Sequence, residues 1–159
     1  MKLINYPTIT IIFISLFLTG CPREVKPPYD FKSQNLKGKI NNQPWEYSSG
    51  VARPSFTSED TLRVGIYNAE FDNSCSYAIS ENGILFNVPK AEGLYILNAN
   101  WDNFQTVTLY HGTTKEYGLG GAIEIVNIDY EARTISGRID ATVDNNSSVN
   151  GNFLITLCD

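Results

Sequence analysis

The residues able to carry chemistry in this chain are one histidine, three cysteines and 17 carboxylates, and their spacing sets the first limits. His111 follows an apolar-alternating stretch and precedes Gly112. A serine hydrolase would need such a histidine as general base, oriented by a carboxylate. The G-x-S-x-G and H-E-x-x-H patterns are both missing from the sequence, as is any catalytic-cysteine signature. His111 is therefore read as a strand-end residue. A carboxylate pair can cleave glycosides without histidine, but Glu46, Glu70, Asp72, Asp102 and Glu124 are scattered and are expected to be solvated. Asp102, Asp129 with Glu131, and Asp144 with Asn145 and Asn146 lack the D-x-[DN]-x-[DN]-G calcium loop, so they are read as turn formers. No catalytic residue, metal ligand set or cofactor is assigned on these patterns.

A weaker binding signal lies in the aromatic residues, 12% of the chain. Trp45, Tyr47, Trp101, Phe104, Tyr110 and Tyr117 fall near turns, and the run from Asn98 to Phe104 alternates amides, an acid and rings. Flat rings beside Asn and Asp suit stacking on a sugar while bonding its hydroxyls. Asn100, Trp101, Asp102 and Trp45 are accordingly the candidate ligand-binding residues. The plainer expectation, which we favour, is that the tryptophans fill the core, as aromatics do in small β-domains.

The cysteines give the sharpest signal. Lys2 precedes an apolar run, Ile9 to Leu18, of about ten residues, which suits a signal peptide. A spanning helix would need roughly 20. The run ends in Leu18-Thr19-Gly20-Cys21, which resembles the lipobox of bacterial lipoproteins: an apolar residue and two small ones before a thiol that accepts a diacylglycerol. Each buried CH₂ contributes about 0.8 kcal/mol, so two or more chains anchor a protein stably. Cys21 is the expected lipidation site and residues 1–20 the removed signal. Cys75 and Cys158 then remain as an even pair in an oxidising compartment and are expected to form a disulfide. Two cysteines and one histidine so far apart do not suit zinc. Cleavage before Cys21 leaves 139 residues, enough for one domain, with 11 basic against 17 acidic residues, a formal charge of −6. That balance argues against nucleic acid and anionic headgroups as partners. The expected partners are the membrane, through the lipid on Cys21, and an unidentified envelope protein or glycan.

The elements that must position these residues read as follows. Residues 21–35, with three prolines and mixed charges, are expected to be a flexible tether of up to roughly 50 Å. Residues 36–159 form the β-domain. Leu36 to Ile40, the turn Asn41-Asn42 and Gln43 to Tyr47 read as an opening hairpin. Leu62, Val64 and Ile66 share one face, as do Ile84, Phe86 and Val88. Short strands follow over 93–97 and 104–110. Gly120 to Asp129 is strand-like with its alternation broken near Ile125-Val126, which predicts a bulge. Ile135, Gly137, Ile139 and Ala141 point one way, and Phe153, Ile155 and Leu157 close the chain. The period is two throughout, so the fold class is all-β. A single antiparallel β-sandwich or closed β-barrel of about 8–9 short strands is expected, since both manage exposed edges.

Leu36-Lys37-Gly38-Lys39-Ile40-Asn41-Asn42-Gln43-Pro44-Trp45, closely following the lipobox, resembles the opening hairpin of small lipoproteins common in Bacteroidetes. The tail, with Ile135-Ser136-Gly137-Arg138-Ile139 and Gly151-Asn152-Phe153, is similar to their closing meander. Asn42 and Ile139 depart from the glycine and phenylalanine usual there. The resemblance implies an envelope location, with an outer membrane expected, and a β-fold; it carries over no catalytic residue. The leading expectation is a non-enzymatic binding or accessory lipoprotein of the envelope. The alternatives are a β-barrel carrier of a small apolar ligand and a glycan-binding or glycan-cleaving protein.

Overall fold

The computed structural model describes residues 27–70, 75, 82–100 and 104–158. Among these residues the chain is all-β, 63% strand and without helix. The described residues form eleven strands: β1 (Lys37–Ile40), β2 (Gln43–Glu46), β3 (Ser49–Pro54), β4 (Thr61–Tyr67), β5 (Asn82–Pro89), β6 (Gly93–Ile96), β7 (Val107–His111), β8 (Thr114–Gly118), β9 (Gly120–Asp129), β10 (Thr134–Thr142) and β11 (Ser148–Leu157). Nine of them form one path, β6-β9-β10-β11-β3-β4-β5-β7-β8, and the β1–β2 hairpin branches from β11.

This corrects the expected architecture. The sheet is mixed rather than wholly antiparallel, and it curls into an open half-barrel rather than a closed barrel or a clear sandwich. The reason lies in the length of β1. Four residues long, it covers only Ser148 to Asn150 of the β11 edge. The chain returns along β2, which runs antiparallel to β1 and so in the direction of β11. It then steps into the vacant part of that edge as β3, pairing parallel through Val51 with Thr156 and Ala52 with Leu157.

Where the sequence alternates, the strands are as expected. Asn41 and Asn42 both take positive φ, 50° and 61°, as a two-residue primed hairpin turn demands. The β9–β10 register shifts at Ser136/Gly137, with Asn127 and Ile125 as successive partners, so Val126 is the extra residue of a bulge. Val64, Ile66, Leu109, Ile123, Ile135 and Ile139 are fully buried on the concave side. Phe86 of β5 meets Phe153 of β11 edge-on at 6.3 Å across that interior, joining opposite walls. Gly137 makes room for this ring, since a Cβ there would lie 2.5 Å from the Phe153 ring. The sequence reading missed β3, buried at three successive positions, and β8, a mostly exposed edge; neither alternates cleanly.

The segment expected to be a tether is not free along its whole length. The Asp30 amide donates to the Asp140 carboxylate at 2.8 Å and the Lys32 amide to Asn150 Oδ1 at 2.9 Å. Asn150 Nδ2 returns a bond to the Asp30 carbonyl, and Gln34 and Leu36 bond to Asn152. Phe31 stacks on the Arg138 guanidinium at 4.5 Å. Residues 30–32 thus lie against the outer face of β10 and β11, and Gln34 to Leu36 pair with Asn152 along the β11 edge. They can do so because Gly151, at φ 140°, carries no Cβ to meet the carbonyls of Gln34 and Asn35.

Candidate functional site

The expected lipidation site, Cys21, lies outside the described residues, as do Trp101 and Asp102. The other two cysteines are joined. Cys75 and Cys158 form a disulfide with Cα atoms 5.7 Å apart, closing 83 residues of separation. It sits on the convex side, where Cys158 packs with Val51 and Tyr67 in a small buried cluster. The Cys158 amide donates to Ala52, so the β11 terminus is fixed by backbone and sulfur together.

Trp45 and Asn100 belong to different surroundings. Trp45, opposite Gly38 in the hairpin, is 5% exposed and packs in the main core, with its indole N–H lacking an acceptor among the described residues. It borders an open groove of about 640 Å³ between the hairpin, the end of β10 and the start of β11. Lys37, Glu46, Asp140 and Asn150 line this groove, so its charges are mixed and its walls include the docked residues Lys32 and Gln34. Tyr47 lies nearby in sequence, and its hydroxyl donates to the Leu154 carbonyl. Burial pushes its pKa above the ordinary value of 10.0.

Asn100 instead belongs to the loop that follows β6. Asn98 and Gln105 exchange two backbone bonds that close this loop, and the Asn98 side chain accepts from the Asn100 amide. Gln105 donates from its side chain to the Asn87 carbonyl at 2.8 Å, pinning the loop's end to β5. Phe104, 63% exposed, is thereby set at the rim of a depression of about 310 Å³ on the outer face of β5 and β7. A second depression of about 200 Å³, beside Phe56 and Arg63, shares Leu85 and Asn87 with the first. The two make one groove across β4, β5 and β7.

Several of the carboxylates serve the scaffold. Asp129 accepts from the Ala132 amide and Asp144 from those of Asn146 and Ser147, both as turn formers. Glu124 pairs with Arg138. Glu46 lines the groove beside the hairpin, and Asp72 lies outside the described residues. His111 ends β7, facing Thr114 across the hairpin. Sequence reasoning missed Phe56, Arg63 and Asn87 as groove residues. Alternation along β4 already puts Arg63 on the outer face, but only strand pairing sets it beside Asn87. Comparison with protein-family models, curated proteins and solved structures finds no match.

Proposed function

We propose that the chain is an exported lipoprotein of the cell envelope, held by acyl chains on Cys21, whose β-domain is a non-enzymatic binding or accessory module. The observation that carries the reading is the Cys75–Cys158 disulfide. Structural disulfides persist in oxidising compartments and are rare in the reducing cytosol. With that pair bonded, the remaining thiol is the one in Leu18-Thr19-Gly20-Cys21, directly after an apolar run of signal-peptide length. The binding role draws support from the open grooves on the outer face. Closely filled side chains on the concave side favour the surface over an interior carrier site. An outer membrane is the proposed location.

The test is metabolic labelling with a fatty-acid probe, followed by fractionation and mass spectrometry. Label should appear on the wild-type chain at Cys21, vanish in Cys21→Ser, and leave the variant in the soluble fraction. Denaturing alkylation should find Cys75 and Cys158 blocked. An unlabelled cytosolic chain that retains Met1 and carries three free thiols would overturn the proposal.

A further inference from the structure

We propose that the groove across β4, β5 and β7 binds a short acidic oligosaccharide, stacked between Phe56 and Phe104, with a sugar carboxylate on Arg63. This deepens the binding-module reading and rests on it.

Two apolar rings are held out at opposite ends of one polar groove, each by a hydrogen-bonded turn. Phe56, 94% exposed, rides on a turn in which the Ser55 hydroxyl meets that of Thr57 and the Ser55 amide donates to Thr61. Phe104 is set by the Asn98–Gln105 closure and the Gln105 bond to β5. Rings so placed keep an apolar face in water without packing it, and the C–H face of a sugar ring is a natural cover. Between them the floor is Leu85, Asn87 and a row of threonines, an amide-and-hydroxyl surface suited to sugar hydroxyls.

Strand pairing rules out one rival mode, the addition of a peptide strand to a sheet edge. β4, β5 and β7 are each bonded on both sides, so this face offers a peptide no free backbone edge. Recognition here must come from side chains. The charge points to an anion. The whole chain carries a net −5, yet no carboxylate lines the groove among the described residues. Arg63 does line it, half-buried, directly opposite Asn87, and has no hydrogen bond or ion pair among the described residues. A planar guanidinium beside an amide fits a carboxylate held at two points. Even with Arg53, the direct neighbour of Arg63 on β3, two cations are too few for nucleic acid.

The experiment is calorimetric titration of the full chain, disulfide intact and in detergent micelles, with oligogalacturonate, alginate and hyaluronan oligosaccharides. Each is paired with its carboxyl-reduced, neutral form. At least one acidic oligosaccharide should bind, and carboxyl reduction should weaken it roughly tenfold or more, the scale of one lost charged hydrogen bond. Phe56→Ala, Phe104→Ala and Arg63→Gln should each weaken binding comparably at unchanged melting temperature, whereas Lys37→Ala in the other groove should leave it intact. Equal binding of the neutral forms, indifferent to Arg63→Gln, would overturn the acidic assignment. Absence of binding across the panel would overturn the site itself. Lipid labelling of Cys21 is unaffected by either failure, so the envelope reading is judged separately.

Discussion

Replacing Cys75 and Cys158 together by alanine should cost the domain most of its ordinary margin of stability. The bond joins residues 83 apart, and in the chain-entropy model a loop of that length restrains the unfolded chain by roughly 4 to 5 kcal/mol. Local packing contributes much less. Cys75 is exposed, and Cys158, although only 4% exposed, contributes a small side chain to its cluster with Val51 and Tyr67. Cys75→Ala alone should therefore account for nearly the whole loss. For a domain of this size the melting temperature should fall by roughly 10 to 20 °C. Urea denaturation gives the decisive readout, because the mechanism acts on the unfolded state. Without the cross-link the unfolded chain expands and exposes more surface, so the m-value should rise as the midpoint falls. Reduced wild-type protein should match the double variant. A loss below about 1 kcal/mol, or a loss with no rise in m, would refute the entropic account.

Other perturbations test the packing and the docked segment. Gly137→Ala brings a Cβ to 2.5 Å from the Phe153 ring and from the Glu124 carbonyl, and should destabilise by about 1 to 3 kcal/mol. In a double-mutant cycle with Phe153→Leu the combined loss should be smaller than the sum, and strict additivity would reject the steric reading. Asn150→Ala removes both the acceptor for the Lys32 amide and the donor to Asp30. Hydrogen exchange at Lys32 should quicken roughly tenfold or more while the β10 amides keep their protection. Tyr47 supplies a pH test. Because burial raises its folded-state pKa above the ordinary 10.0, the unfolded state ionises first. Stability is then complete below pH 10 and declines as pH climbs through the folded-state value. The alkaline fall in melting temperature should be shallower for Tyr47→Phe, and parallel curves would refute the assignment.

How much of this was legible in the sequence depended on whether a local pattern fixed the answer. The alternation of Leu62, Val64 and Ile66, or of Ile135, Ile139 and Ala141, reports a strand with one buried face whatever its neighbours are. The break at Ile125-Val126 announced a bulge for the same reason. β3 has Gly50, Val51 and Ala52 buried in succession, and a strand covered on both faces shows no period of two. The parallel pairing of β3 with β11 was illegible because it follows from where β1 ends along the β11 edge, a tertiary fact. The groove was hidden likewise: Phe56 is a lone ring among serines and threonines, and Arg63 and Asn87, 24 positions apart, meet only through register. Trp45 drew notice by residue type, yet its ring serves the core.

The docked segment links the proposed anchor to the proposed binding face. Residues 30–35 are bonded to β10 and β11, so at most eight or nine residues separate Cys21 from the first bonded one, roughly 30 Å when stretched. That is well short of the roughly 50 Å available to fifteen. A lipid on Cys21 would therefore hold the domain close to the bilayer by its β10–β11 wall. Phe86 and Phe153 meet across the interior, so the outer faces of β5 and β11 point in opposite directions. The groove between Phe56 and Phe104 lies on the β5 side. With Cys21 acylated, the same hydrogen bonds would turn the groove away from the lipid surface. There an anionic sugar chain would meet the domain without approaching the headgroups, and binding would require no rearrangement of the anchor.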